Sequence, residues 1–497
     1  MEQTAVTRAQ IINELSKSVH GKLAEYGPVI GQACAADPEF VAHLIAFDFT
    51  NGQIKDTKTA LPVLTLSRRE FPSELTENSL AHLVMQPPRE LLKALRFAIE
   101  VKTPASRYHK LQGVVRDYLA HREREPGKWN RLAVRHRRSL KELYVRSHAP
   151  IPPWADDVLF HNRYLPGSIF ADVRDLAKMA PAQAAATIAK WHLSPLVVSG
   201  AMAGSKSQND STVVQATMEQ MSDTEVVTRA ASLEKKGLSR DAALKEAFRK
   251  KVSKATKSGK ATLKTSVAAE EVEDEGLKTM LKELQERQIQ AQKDSGKGID
   301  GNWLVISDKS GSQRVSIELG KSVAAAIAKF VSGKVWLVFC DTDAHGIEVT
   351  GKSLEEIQMQ CRYVNANGGT SYGVGLQWAA KQDLDGIVIV GDGAENSAPL
   401  FSQVYGVYQQ AAHKEPPVYL YRTTSTESVF NCQQFSQAMA RCGSAFTEFD
   451  LTKGTDYYAI PNLVQSMNAS RFGVVEKIMA CPLLTLDMVF GRVPVAA

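Results

Sequence analysis

The run VISDKSGS, residues 305–312, decides how this chain divides. It joins the end of an apolar stretch, WLVIS (303–307), to an aspartate followed by a loop of Lys, Ser and Gly. A strand that is apolar at nearly every position needs cover on both faces, as in a parallel sheet, and such sheets bind ligands at the carboxyl ends of their strands. Three further runs of the same kind follow: KVWLVFC (334–340), GIVIV (386–390) and PVYLY (417–421). The intervening SVAAAIAKFV, SLEEIQMQC, VGLQWAAKQ and LFSQVYGVYQQAA are each long enough to be a crossover helix. Residues 297–497 are therefore expected to form a doubly wound α/β domain.

Residues 1–296 read differently. Leu111, Val114, Val115, Tyr118 and Leu119 recur at the spacing of one helical face, and no stretch alternates with the period of two of a half-buried strand. Ser139 with Glu142 and Ser222 with Glu225 fit the capping box, and Pro181 stands where a helix can begin. The first half is expected to be a helical array, giving an α + α/β chain. Within it, about 249–275 is predicted to be a mobile charged insertion. Arg249, Lys250, Lys251, Lys254, Lys257, Lys260 and Lys264 precede the acidic run EEVEDE at 270–275.

With 497 residues, 44% of them hydrophobic, the chain can bury large cores in two to four domains of roughly 100–200 residues. The six cysteines are scattered without metal-ligand spacing, so reduced thiols are expected. No long apolar span or leader pattern is read, which predicts a cytoplasmic protein that does not engage a membrane.

The residues just after the apolar runs are Asp308, Ser310 and Ser312, then Asp341 and Asp343, then Asp392; Thr370 follows a GG turn. One or two carboxylates with Ser and Thr hydroxyls suit Mg²⁺ or another divalent cation, which takes oxygen ligands and keeps waters. A phosphate loop, a dinucleotide-binding turn and a nucleophile paired with a base are all lacking at these ends, so the chain is not expected to be an enzyme.

A second concentration of chemistry lies at 101–150, where 13 Lys and Arg face 4 Asp and Glu. Arg131, Arg135 and Arg138 fall on one helical face, a row of guanidiniums suited to phosphate. Trp129, His136, Tyr144 and His148 are interleaved and could stack on unpaired bases.

Asp308, Ser310 and Ser312 resemble the DxSxS motif of von Willebrand factor A domains, with Thr370 and Asp392 matching their threonine and second aspartate. A helical array before such a domain resembles the TROVE family, in particular the Ro RNA-binding autoantigens and their bacterial and phage relatives. RHRRSLKELYVRSHAPI (135–151), SIFADVRDLAKMAP (168–181) and DEGLKTMLKELQE (274–286) carry that likeness. The resemblance implies a ring of HEAT-like helical repeats closed by the A domain. It implies a metal-ion-dependent adhesion site at Asp308, Ser310, Ser312, Thr370 and Asp392, whose shell an acidic group of a partner protein completes. It also implies contacts to small noncoding RNA and single-stranded RNA ends by Arg135, Arg137, Arg138, Lys141 and His148, with Arg131 and Lys128 beside them. The function so implied is RNA surveillance or tethering of a nuclease. A Mg²⁺-dependent protein-interaction scaffold, and a structural part of a phage or large particle, are the alternatives.

Overall fold

The computed structural model describes residues 8, 11, 27–51, 56–255, 265, 268–269, 271–294, 299–425, 428–442, 446–450 and 471–491. The chain separates into two compact units, each assembled from two stretches of sequence: 1–61 with 293–483, and 62–292 with 484–497. This differs from a single boundary at 296/297. In the first unit the helix Pro38–Asn51 packs on Arg471–Met479, and His43 Nδ1 lies 2.7 Å from the Cys481 carbonyl oxygen. In the second, the Leu484 and Leu486 amides donate to Asn78 Oδ1 and Glu77 Oε1, both at 2.9 Å. Hydrogen bonds between residues some 400 positions apart leave no local pattern in sequence.

The first unit holds six strands: β1 Trp303–Asp308, β2 Val335–Cys340, β3 Ala344–Glu348, β4 Gly386–Gly391, β5 Val418–Arg422 and β6 Phe446–Asp450. Their order is β3-β2-β1-β4-β5-β6, parallel except for β3. The four apolar runs are β1, β2, β4 and β5. The two strands that the runs do not announce are the edges. An edge strand is paired on one side and partly wetted, so β3 (AHGIE) and β6 (FTEFD) need no continuous apolar run.

All six residues of β1 are buried, and each of Leu304, Val305 and Ile306 contributes about 1.5–3 kcal/mol by leaving water. On one face Leu304, Ile306, Val338, Ile387 and Ile389 pack with Tyr372, Leu376, Phe401 and Tyr405 from two helices, Tyr372–Trp378 and Phe401–Ala412. On the other lies the helix Arg314–Phe330, which begins at once after the SGS loop. Gly320 makes that approach possible: a Cβ there would stand 2.3 Å from Ser307 Oγ.

The second unit is helical throughout its described residues. The apolar stripe Leu111 to Leu119 is buried in the helix Ala105–Glu123, as its periodicity predicts. Ser222 Oγ accepts from the Glu225 amide as a cap, although the Glu225 carboxylate turns to Arg229 Nε instead of closing the box. Ser139 is not a cap. The helix Pro126–Ser147 runs through it, and Glu142 is instead held by Arg96, Arg138 and Arg146, with Arg96 chiefly responsible for keeping its carboxyl below the usual range.

The basic end of the predicted insertion is also structured. Arg249, Lys250, Lys251 and Lys254 belong to the helix Ala242–Lys254, whose apolar face (Leu244, Phe248, Val252) is buried. That buried stripe outweighs the charge run read from composition. Lys257, Lys260 and Lys264 lie outside the described residues.

Candidate metal centre and basic helix

The strand order creates the first site. From β1 the chain crosses to β2 on one side and later to β4 on the other, so the loops after β1 and β4 diverge and leave a crevice at their carboxyl ends. Asp308 ends β1, in register with Cys340, and Asp392 follows directly on β4.

Both carboxylates are buried. Asp308 Oδ1 accepts from the Ser310 amide at 2.8 Å, and Oδ2 accepts from the Tyr372 hydroxyl at 3.1 Å. That hydroxyl also accepts from the Gly393 amide at 3.2 Å, so one phenol ties the Asp308 and Asp392 loops together. Burial, and then the neighbouring Asp392 charge, push the Asp308 carboxyl up to about 7.

The threonine loop is laid across the serine loop by main-chain bonds. The Asn367 amide donates to the Lys309 carbonyl at 2.7 Å, Gly311 to Gly368 at 3.1 Å, and Ser371 to Asp341 at 2.8 Å. Thr370 is thereby buried at the same edge, and its hydroxyl has no hydrogen-bond partner among the described residues. Ser310 is buried beside Asp308, while Ser312 is exposed and lies 3.5 Å from Gln313 Nε2. Asp341 and Asp343 play another part: Asp341 accepts from the Asp343 amide and pairs with Lys309.

The donors at this edge are oxygens only. Among the described residues no three His, Cys, Asp or Glu side chains gather as a metal group, so the chemistry here is that of two carboxylates and hydroxyls. Two buried like charges and an unpartnered threonine hydroxyl fit a small hard cation. Such an ion would lie among Asp308, Ser310, Ser312, Thr370 and Asp392 and would supply positive charge to an incoming acid.

Three residues at this edge have no counterpart in the motif reading. Gln313 is buried. Its Nε2 donates to Asp392 Oδ2 at 2.8 Å, and its Oε1 accepts from the hydroxyls of Ser316 and Thr423. Ser425 donates to the same Asp392 oxygen at 2.5 Å. Glu395 Oε1 accepts from the amides of Tyr372, Gly373 and Phe401, closing the first turns of two helices, and burial pushes its carboxyl up to about 7. Nearness to SGS and GDG marks Gln313 and Glu395 in sequence, and nothing local marks Ser425.

The basic helix of the second unit sorts its residues by burial. Arg131, Arg135 and Arg138 are exposed, and neither Arg131 nor Arg135 pairs with an acid among the described residues. The helix departs from helical geometry at His136 (φ −128°, ψ 27°), so the three do not share one unbroken face. Lys141 is exposed with its Nζ 4.7 Å from the centre of the Phe160 ring, and Lys128 pairs with Glu125 at 2.7 Å. His148 ends the helix in the left-handed region at φ 55° and is exposed.

Three expectations change here. Arg137 is occupied in the fold, donating to the Tyr164 hydroxyl at 3.0 Å, the Leu159 carbonyl at 3.1 Å and the Asn162 side chain. Trp129 is fully buried, edge-on to Trp154. Tyr144 is buried as well, its hydroxyl donating to Glu123 Oε1 at 2.6 Å. Neither ring is presented for stacking; helical periodicity turns both inward.

No family model matches the chain, and no curated protein does. Among solved structures it is similar to the Deinococcus radiodurans Ro (RSR) protein, at 14% identity and a TM-score of 0.61, over 88% of this chain and 92% of that one. An aerotolerance-related membrane protein from Bacteroides fragilis covers 34% of the chain and is itself 99% covered, at 14% identity and a TM-score of 0.26, a likeness on which nothing rests. The helical unit and the six-stranded unit thus have a fold counterpart in the Ro protein across most of both chains, and the fold of this chain is of the Ro type.

Proposed function

We propose that this chain is a bacterial or phage Ro relative that binds RNA through the exposed cations of the helix Pro126–Ser147. The observation that carries the reading is Arg131 and Arg135, two exposed guanidiniums on one helix with no acid partner among the described residues, followed by the largely exposed Arg138. Lys128, Lys141 and His148 extend the surface. Arg137 supports the reading only indirectly, by fixing the helix on which the others stand. The RNAs expected are small structured noncoding species and single-stranded ends, and the role expected is RNA surveillance or nuclease tethering, without catalysis.

Contacts of this kind release counterions, so affinity falls steeply with salt. For a short single-stranded RNA, replacing Arg131, Arg135 and Arg138 together by Ala should lower the slope of log affinity against log salt by about 2, at roughly 0.7 per phosphate contact. Binding that keeps its slope and strength in the triple variant would overturn the proposal.

A second reading rests on the oxygen donors at the β1 and β4 ends. The six-stranded unit acts as an adhesion domain of the von Willebrand factor A type, holding Mg²⁺ and receiving a carboxylate of a protein partner. Capture from the native cell of a protein without RNA, abolished by chelator, would favour that role over RNA binding.

A further inference from the structure

The helical unit contains a cleft whose polar lining is made of two cations, hydroxyls and one side-chain amide, with no carboxylate. Its free space, including the open mouth, is about 400 Å³. Val198, Val214, Met221 and Leu233 are among its apolar lining. The polar lining includes Ser199, Gln208, Arg229, Ser232 and Lys236, and no Asp or Glu contributes.

These groups come from separate elements. Ser199 belongs to the helix Pro195–Ala201, Gln208 to the turn Lys206–Asn209 and Ser232 to the helix Ala230–Glu234, with Arg229 and Lys236 at the two ends of the last. Arg229 spends only its Nε on an acid, Glu225 Oε1 at 3.0 Å. Among the described residues Lys236 has no acid partner, and the side chains of Ser199, Gln208 and Ser232 make no hydrogen bond. Burial first, and then the charge of Arg229, lower the Lys236 pKa from its ordinary value.

Two neighbouring cations, one of them half-buried without a counter-charge, are costly unless an anion joins them. The surrounding donors outnumber what a carboxylate's two oxygens can use, whereas a phosphate offers more acceptor oxygens and suits guanidinium and hydroxyl partners. We propose that this cleft binds one phosphate group, either inorganic phosphate or the terminal phosphate of a nucleotide chain. The proposal is independent of the arginines in Pro126–Ser147.

Titration of the 497-residue chain with inorganic phosphate, followed by calorimetry, tests it. Binding at millimolar phosphate or tighter is expected. Lys236→Gln should weaken it about tenfold, the scale of losing one charge-assisted hydrogen bond. Ser232→Ala, at an exposed position that the fold does not need, should weaken it less, and Arg135→Ala should leave it unchanged. Comparing a 5′-phosphorylated with a 5′-hydroxyl tetranucleotide identifies the source. A preference for the phosphorylated form that vanishes in Lys236→Gln assigns the cleft to nucleic-acid ends, and phosphate binding without that preference assigns it to free phosphate. Two results would overturn the proposal: neither phosphate nor the phosphorylated tetranucleotide binding the wild-type chain, or Lys236→Gln and Ser232→Ala, folded by circular dichroism, binding phosphate as the wild type does.

Discussion

Gln313 donates through Nε2 to Asp392 Oδ2 at 2.8 Å and so joins the loop after β1 to the end of β4, positions 79 residues apart. The same side chain accepts from Ser316 and Thr423, which makes it a buried crosspiece among three segments of the carboxyl edge. Gln313→Leu keeps the approximate volume but removes every one of these bonds: Asp392 Oδ2 loses its amide donor, and the buried hydroxyls of Ser316 and Thr423, 2.9 Å apart, are left with only each other. A loss of about 2–4 kcal/mol is expected in urea unfolding, on the scale of about 1–3 kcal/mol for each buried group left unsatisfied. A loss below about 0.5 kcal/mol would show that the crosspiece carries no load.

Asp308 separates stability from metal binding. Its carboxyl is raised to about 7 by burial and then by Asp392, so the charged form is disfavoured in the absence of a cation. Asp308→Asn removes that charge while keeping an oxygen toward the Ser310 amide and turning its NH2 to donate to the Tyr372 hydroxyl oxygen. In chelator the variant should unfold at a higher urea concentration than the wild type near neutral pH. Its affinity for Mn²⁺, read by electron paramagnetic resonance, should fall at least tenfold, the equivalent of about 1.4 kcal/mol. Equal Mn²⁺ affinity in the two proteins would remove Asp308 from the proposed shell.

Arg137 separates fold from RNA contact. Its three bonds to Leu159, Asn162 and Tyr164 pin the segment after the helix Pro126–Ser147, so Arg137→Ala should cost about 1.5–3 kcal/mol in thermal or urea unfolding. Arg135→Ala, at an exposed side chain with no acid partner among the described residues, should stay within about 0.5 kcal/mol of the wild type. If the stability losses are reversed between these two, the assignment of roles is wrong.

Glu395 gives a pH dependence whose sign follows from its shift. Its carboxyl is raised from 4.5 to about 7, chiefly by burial, so between these values the folded chain holds a proton that the unfolded chain releases. Stability from this group is therefore present below about pH 4.5 and is lost as pH rises toward 7. Glu395→Gln keeps the oxygen that accepts from Tyr372, Gly373 and Phe401 and removes the titration, so its stability should vary less between pH 4.5 and 7. Parallel pH profiles of variant and wild type in chelator would contradict this.

Sequence alone was enough for features that repeat locally. WLVIS, KVWLVFC, GIVIV and PVYLY announce buried parallel strands because a strand covered on both faces must be apolar at successive positions. Leu111 to Leu119 announce a buried helical face for the same reason. Asp308, Thr370 and Asp392 could be placed together at one edge because parallel strands send all their carboxyl ends the same way. Tertiary structure decided what no period encodes. It showed that Trp129, Tyr144 and Arg137 belong to the interior framework of a helix whose composition suggests an RNA surface. It placed Gln313, Glu395 and Ser425 around the two aspartates, and it gathered Arg229 and Lys236 with three polar side chains around one cleft. Local order follows from side-chain periodicity, which is written in the sequence. The partner that each polar group finds depends on segments brought together only by burial of the apolar ones.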